Sequence, residues 1–197
     1  MSNRHRVTAD DIEEAVDGAV AALSAGATGD WAEPAGELAW DCRRTAVHVA
    51  DCLMAYAAQV AAGPADHWVP FSVSAPRKVR PADLLELVTA SGGILAATVG
   101  AATRTARAWH PYGVSDPEGF SAMAVTETLV HGADIAAGLS IPFEPSSNLC
   151  RRTVARLFPE VGDQEDPWAL LRWATGRIAL PDRPRRRSWR WHGEPIR

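Results

Sequence analysis

Residues 118–138 read as a helix without a polar side. At about 100° per residue, Phe120, Met123, Val130 and Gly138 share an arc with Glu127 and His131, while Ala122, Val125, Leu129, Gly132 and Ala136 cover the opposite side. A helix that is apolar or small all round is central in its domain, so the rest of the chain has to pack about it. Its ionisable groups Glu127, His131 and Asp134 nevertheless fall within roughly 60° of arc. Glu127 and His131 are four apart and project from the same face. A buried carboxylate is normally paired or bound to metal. Two readings are open from this spacing: a Glu–His or His–Asp pair that serves packing, or part of a metal site.

The rest of the chain supplies partners for this helix. Thr8 can cap a first helix through ADDIEEAVDGAVAALSA, which Gly26 and Gly29 end. A second helix is expected from about Trp40 to Ala62, stopping at Gly63-Pro64. A third is expected from Pro81 to about Arg107, with Gly92-Gly93 as a weak point, and shorter ones at 146–157 and 167–177. Residues 67–76, HWVPFSVSAP, suggest a short extended stretch or hairpin strand that two prolines keep out of a central sheet. The fold class is therefore all-α, a helical bundle with core at about 8–140 and a C-terminal appendage of short helices and irregular tail at about 141–197.

Bulk properties narrow the function. The chain has 197 residues, enough for a single domain. Its net charge of −4 offers no overall basic footprint for nucleic acid. No apolar run is long and uninterrupted enough to suggest a membrane span, and MSNRHRVTADD lacks the apolar stretch of a signal peptide. Cys42, Cys52 and Cys150 show no CxxC spacing and read as reduced thiols, so a cytoplasmic location is expected. No phosphate-binding glycine loop and no G-x-S-x-G elbow is present. Arg183, Arg185, Arg186, Arg187 and Arg190 interleave with Trp189 and Trp191, a pattern that can stack bases. The negative overall charge favours instead arginines that pair with an acidic body, with no nucleic-acid partner.

His48, in TAVHVADCLMAYA, is the best third member for a metal group. Asp41, Arg44, Asp51, Cys52 and Gln59 lie on roughly its face of the second helix, so His48 is either a solvated histidine or one lining a cavity between helices. Three protein ligands with an open position are the pattern of a catalytic rather than a structural zinc. Cys52, one turn on, is either a fourth ligand or a small buried thiol.

The order of these parts resembles the mycothiol-dependent, maleylpyruvate isomerase N-terminal-like branch of the DinB-like metalloenzymes, of actinobacterial type. The matching pieces are DWAEPAGELAW (30–40), TAVHVADCLMAYAAQ (45–59), TETLVHGADIAAGL (126–139) and WALLRWATGRIALP (168–181). The resemblance implies a four-helix bundle in up-down-down-up order. It implies that His48, Glu127 and His131 bind a divalent metal, usually zinc. It also implies a low-molecular-weight thiol, mycothiol or similar, as cosubstrate. His131-Gly132-Ala133-Asp134 stands where the family carries H-x-W-D, so the Trp is missing while Asp134 keeps its position and can act behind a ligand.

The resemblance thus implies an enzyme in which an activated thiolate attacks a small electrophile, as a thiol S-transferase or isomerase. Arg44, Arg77 or Arg80 could pair with a carboxylate of thiol or substrate. Tyr56 and His110 are further polar candidates, against a core-edge tyrosine and a loop histidine. The expected partners are the thiol and the electrophile, with the protein a monomer or homodimer. A non-catalytic metal- or small-molecule-binding bundle is the alternative.

Overall fold

A computed structural model describes residues 6–196. Among them are six helices: α1 (Ala9–Ser24), α2 (Cys42–Ala62), α3 (Pro81–Ala101), α4 (Pro117–Gly138), α5 (Ser147–Leu157) and α6 (Pro167–Ala174). No strand forms among the described residues, only isolated bridges such as Ala108 with Ser115. The protein is all-helical, and its packing is that of a helical bundle. Helices α1 and α2 each pack on both α3 and α4, while α3 and α4 touch little.

Local chemistry sets the helix ends. Thr8 and Asp11 form a reciprocal capping box on α1. Asp41 caps α2 by accepting from Arg44 N–H at 2.6 Å, and Gly63 closes it in the left-handed conformation. Asp116 caps α4, with Pro117 in its first turn. Helix α3 stops at Ala101 rather than near Arg107. Ala102 is already extended, and Thr103 and Thr105 are β-branched residues whose hydroxyls meet each other. Gly92 does not interrupt α3. It lies against Val16 of α1, where a side chain would not fit.

Residues 67–76 cross the surface without pairing as a strand. Side chains of α2 hold this segment instead: Gln59 Oε1 accepts Val69 N–H at 2.8 Å, and Asp51 Oδ1 accepts Val73 N–H. Pro70 and Pro76 lack the donors a ladder would need.

Contacts give the helix directions. His48 meets His131 and Tyr56 meets Phe120, so α2 runs antiparallel to α4. Gly26 lies against Leu139 and Ala19 against Gly132, so α1 runs parallel to α4. Gly92 lies against Val16 and Gly100 against Ala9, so α3 runs antiparallel to α1. Helix α4 is the central one, with Phe120, Met123, Val125, Leu129 and Ile135 all buried. Helix α3, by length and composition, is apolar enough to cross a membrane, contrary to the reading that no such segment exists. Its Leu84, Leu85, Val88 and Leu95 are buried in the helical core.

Helices α5 and α6 pack on each other and on α4. Arg156 of α5 is fully buried and ties the tail to the start of α4. Its guanidinium donates to Asp116 Oδ1 at 2.9 Å and to His192 O at 3.1 Å. The tail arginines pair with acidic residues of the body: Arg183 with Glu165, Arg185 with Glu37 and Arg186 with Glu160. Trp191 is buried and Trp189 packs beside it.

Candidate metal centre

The antiparallel packing of α2 on α4 brings His48 to Glu127 and His131. One ligand-type atom from each lies within 4.8 Å of the others. His131 Nε2 is 3.2 Å from Glu127 Oε2, and His48 Nε2 is 3.6 Å from the same oxygen. The two imidazole rings meet edge to face, with centroids 5.0 Å apart.

These lengths carry information. A charge-assisted N–H···O bond is about 2.7–2.9 Å. Ligand atoms held about 2.0–2.2 Å from one tetrahedral ion are separated by about 3.4 Å. The two contacts to Glu127 bracket the second value, and the shorter also falls at the long end of an ordinary N–H···O hydrogen bond. Both nitrogens face one carboxylate oxygen, so the three groups converge on one point. His131 Nδ1 is held by Asp134 Oδ2 at 3.1 Å, which directs Nε2 toward that point. The donor set of two imidazoles and a carboxylate therefore fits a divalent ion with open coordination positions.

Electrostatics follow from the same contacts. Burial raises the Glu127 carboxyl, but the facing imidazoles outweigh it and hold the group well below the usual carboxylate range. Burial lowers His131, but Asp134 and Glu127 outweigh it and raise its pKa to about 9. In the metal-free state a proton on His131 thus occupies the role of a cation. Asp134 is in turn held ionised, against burial, by His131 and by Arg177, whose guanidinium donates to Asp134 Oδ2 at 2.9 Å.

The remaining candidates divide. The Arg44 guanidinium lies over the Trp40 ring at 4.5 Å, and Trp40 packs edge-on to His48 with centroids 5.0 Å apart. Arg44 therefore stands at the rim beside the most exposed member of the group, since the His48 side chain is 30% exposed. Arg80 is exposed and pairs with Asp83 at 2.6 Å in the cap of α3. Arg77 is likewise exposed on the loop before α3. Cys52 touches His48, with Sγ 3.5 Å from Nε2, but does not belong to the converging group. Tyr56 is buried with its hydroxyl in reach of Glu127, and both burial and that carboxylate raise its pKa. His110 is buried beside Tyr56, with ring centroids 6.2 Å apart.

Arg177 is the site residue that sequence reasoning missed. It sits beyond α6, just after Gly176, whose φ of 72° turns the chain back toward α4. Its signal was one of two arginines in WALLRWATGRIALP, and nothing local says that it, rather than Arg172, meets Asp134. Comparisons with protein-family models, with curated proteins and with solved structures give no match for this chain.

Proposed function

We propose that the chain is a divalent-metal-dependent enzyme that uses a low-molecular-weight thiol, mycothiol or a relative, on a small electrophilic substrate, as an S-transferase or isomerase. This reading places it with the DinB-like, maleylpyruvate isomerase N-terminal-like proteins. The observation that carries the metal is the convergence of His48, Glu127 and His131, with both imidazole Nε2 atoms 3.2 and 3.6 Å from one carboxylate oxygen, near the spacing of neighbours around one ion. The helix directions support the up-down-down-up order: α1 and α4 run one way, α2 and α3 the other.

A bound zinc ion supplies Lewis acidity and lowers the pKa of a coordinated thiol. The chain's own residues do the rest. His48, Glu127 and His131 hold the ion on the inner faces of α2 and α4. Asp134 fixes the His131 ring, and Arg177 keeps Asp134 anionic. Arg44 on the Trp40 rim offers a guanidinium to a carboxylate of thiol or electrophile.

One observation favours the second reading, a metal- or small-molecule-binding bundle without turnover. Arg80 is paired with Asp83 and Arg77 is exposed on the loop before α3, so Arg44 is the one candidate arginine with a contact leading to His48, through Trp40. Metal analysis after purification without chelator, followed by calorimetric titration with mycothiol, separates the two. One equivalent of metal with saturable thiol binding supports the enzyme. Metal without thiol binding supports the binding bundle. No stoichiometric metal contradicts both.

A further inference from the structure

The turn after α6 and the tail enclose a cleft of about 700 Å³ on the surface of the appendage. Thr175, Arg177, Arg185, Arg186, Arg187 and Trp189 line it, and among the described residues no acidic side chain does. A cleft of that size takes a small molecule.

The arginine run is anchored to the body. Arg185 Nε donates to Gly176 O at 2.6 Å, and Trp173 Nε1 donates to Pro184 O at 2.9 Å. The Arg186 guanidinium lies over the Trp173 ring at 5.0 Å. A Cβ at residue 176 would lie 2.8 Å from Arg186 O, so the glycine there lets the tail reach the turn. The cleft is therefore formed in advance, which lowers the ordering cost of binding.

Its charge is only partly compensated. Asp134 pairs with Arg177, and Glu37, outside the lining, pairs with Arg185. Arg186 Nη1 stands 3.6 Å from Glu160, beyond hydrogen-bond length, and has no hydrogen-bond partner among the described residues. Arg187 is exposed and has neither an ion pair nor a hydrogen bond among the described residues. The neighbouring cleft, which shares Arg186 and Trp189, differs: Glu160 and Glu194 line it and offset its arginines. Guanidinium groups stay charged, and their planar forks match pairs of phosphate oxygens. A positive cleft on a chain of net charge −4 concentrates anions at one place.

We propose that this cleft binds a small molecule carrying a di- or polyphosphate group, with Arg186 and Arg187 as its main donors and Arg177 and Arg185 adding charge. The site does not depend on His48, Glu127 and His131 holding a metal.

The test is calorimetric titration of sodium pyrophosphate into the metal-free full chain at physiological ionic strength, where diffuse surface attraction is largely screened. The wild type is expected to bind one equivalent saturably. Arg187→Gln removes a cation that has no partner in the fold and is expected to bind at least about fivefold more weakly. Arg104→Gln removes an exposed arginine outside the cleft and is expected to bind as the wild type does. No saturable binding by the wild type, unchanged affinity of Arg187→Gln, or equal weakening of both variants overturns the proposal. An oligothymidylate strand is titrated in parallel. Weaker binding of the strand than of pyrophosphate supports the small-molecule class; tighter binding that Arg187→Gln abolishes overturns it in favour of nucleic acid.

Discussion

Asp134 Oδ2 lies 3.1 Å from His131 Nδ1 and accepts from Arg177 at 2.9 Å. One oxygen thus joins a histidine of the central helix to an arginine of the C-terminal appendage. The link matters because an imidazole presents a lone pair at Nε2 in a fixed direction only when its other nitrogen is held.

Asp134→Ala frees the His131 ring. Metal affinity is expected to fall about 10–100-fold while the stoichiometry stays the same, measured by competition with a chromogenic chelator. An unchanged affinity would show that Asp134 serves only packing.

Arg177→Met leaves Asp134 buried with a single partner. Urea unfolding is expected to show a loss of about 1–3 kcal/mol. The double variant Arg177→Met with Asp134→Ala should lose less than the sum of the single effects, since the two side chains share a contact.

Adjacent glycines of α3 should respond in opposite directions. A side chain at Gly93 meets nothing within 4 Å, so Gly93→Ala is expected to stabilise by about 0.5–1 kcal/mol through helix propensity. A Cβ at Gly92 would lie 2.7 Å from Val16 Cγ2, so Gly92→Leu is expected to destabilise by about 1–3 kcal/mol. Thermal melts of both variants check the α1–α3 packing.

Burial lowers the His110 pKa to about 4, against an ordinary value near 6.5, although the Glu127 charge pulls it up. The neutral ring is the native form. Its contribution is therefore fully present above about pH 6.5 and is lost as the pH falls toward 4, by up to about 3 kcal/mol. Urea unfolding at pH 7.5 and 4.5 should show a smaller acid loss for His110→Phe than for wild type. Equal losses would place His110 in solvent.

Much of this was legible in the sequence because the signals are local. The i,i+4 spacing of Glu127 and His131 and the apolar sides of α4 describe one helix, and the structure keeps both. Thr8 as a cap and the Gly63-Pro64 stop are likewise local signals. The misses depend on contacts between distant segments or on competing uses of a side chain. The pairing of Arg80 with Asp83, three residues on, was not read from the sequence. Arg177 meets Asp134 only because α6 folds back on α4. Residues 67–76 have strand-like composition, yet Gln59 and Asp51 satisfy their backbone from α2. His48 lies between: its face was readable, but its meeting with His131 needed the antiparallel packing of α2 on α4.

The most direct test of the central claim is anomalous diffraction at the zinc edge from crystals of the zinc-loaded protein. The account predicts one peak about 2.0–2.2 Å from His48 Nε2, Glu127 Oε2 and His131 Nε2 together, with at least one position left to solvent. The absence of a peak among these three residues, or zinc held elsewhere on the chain, would contradict it.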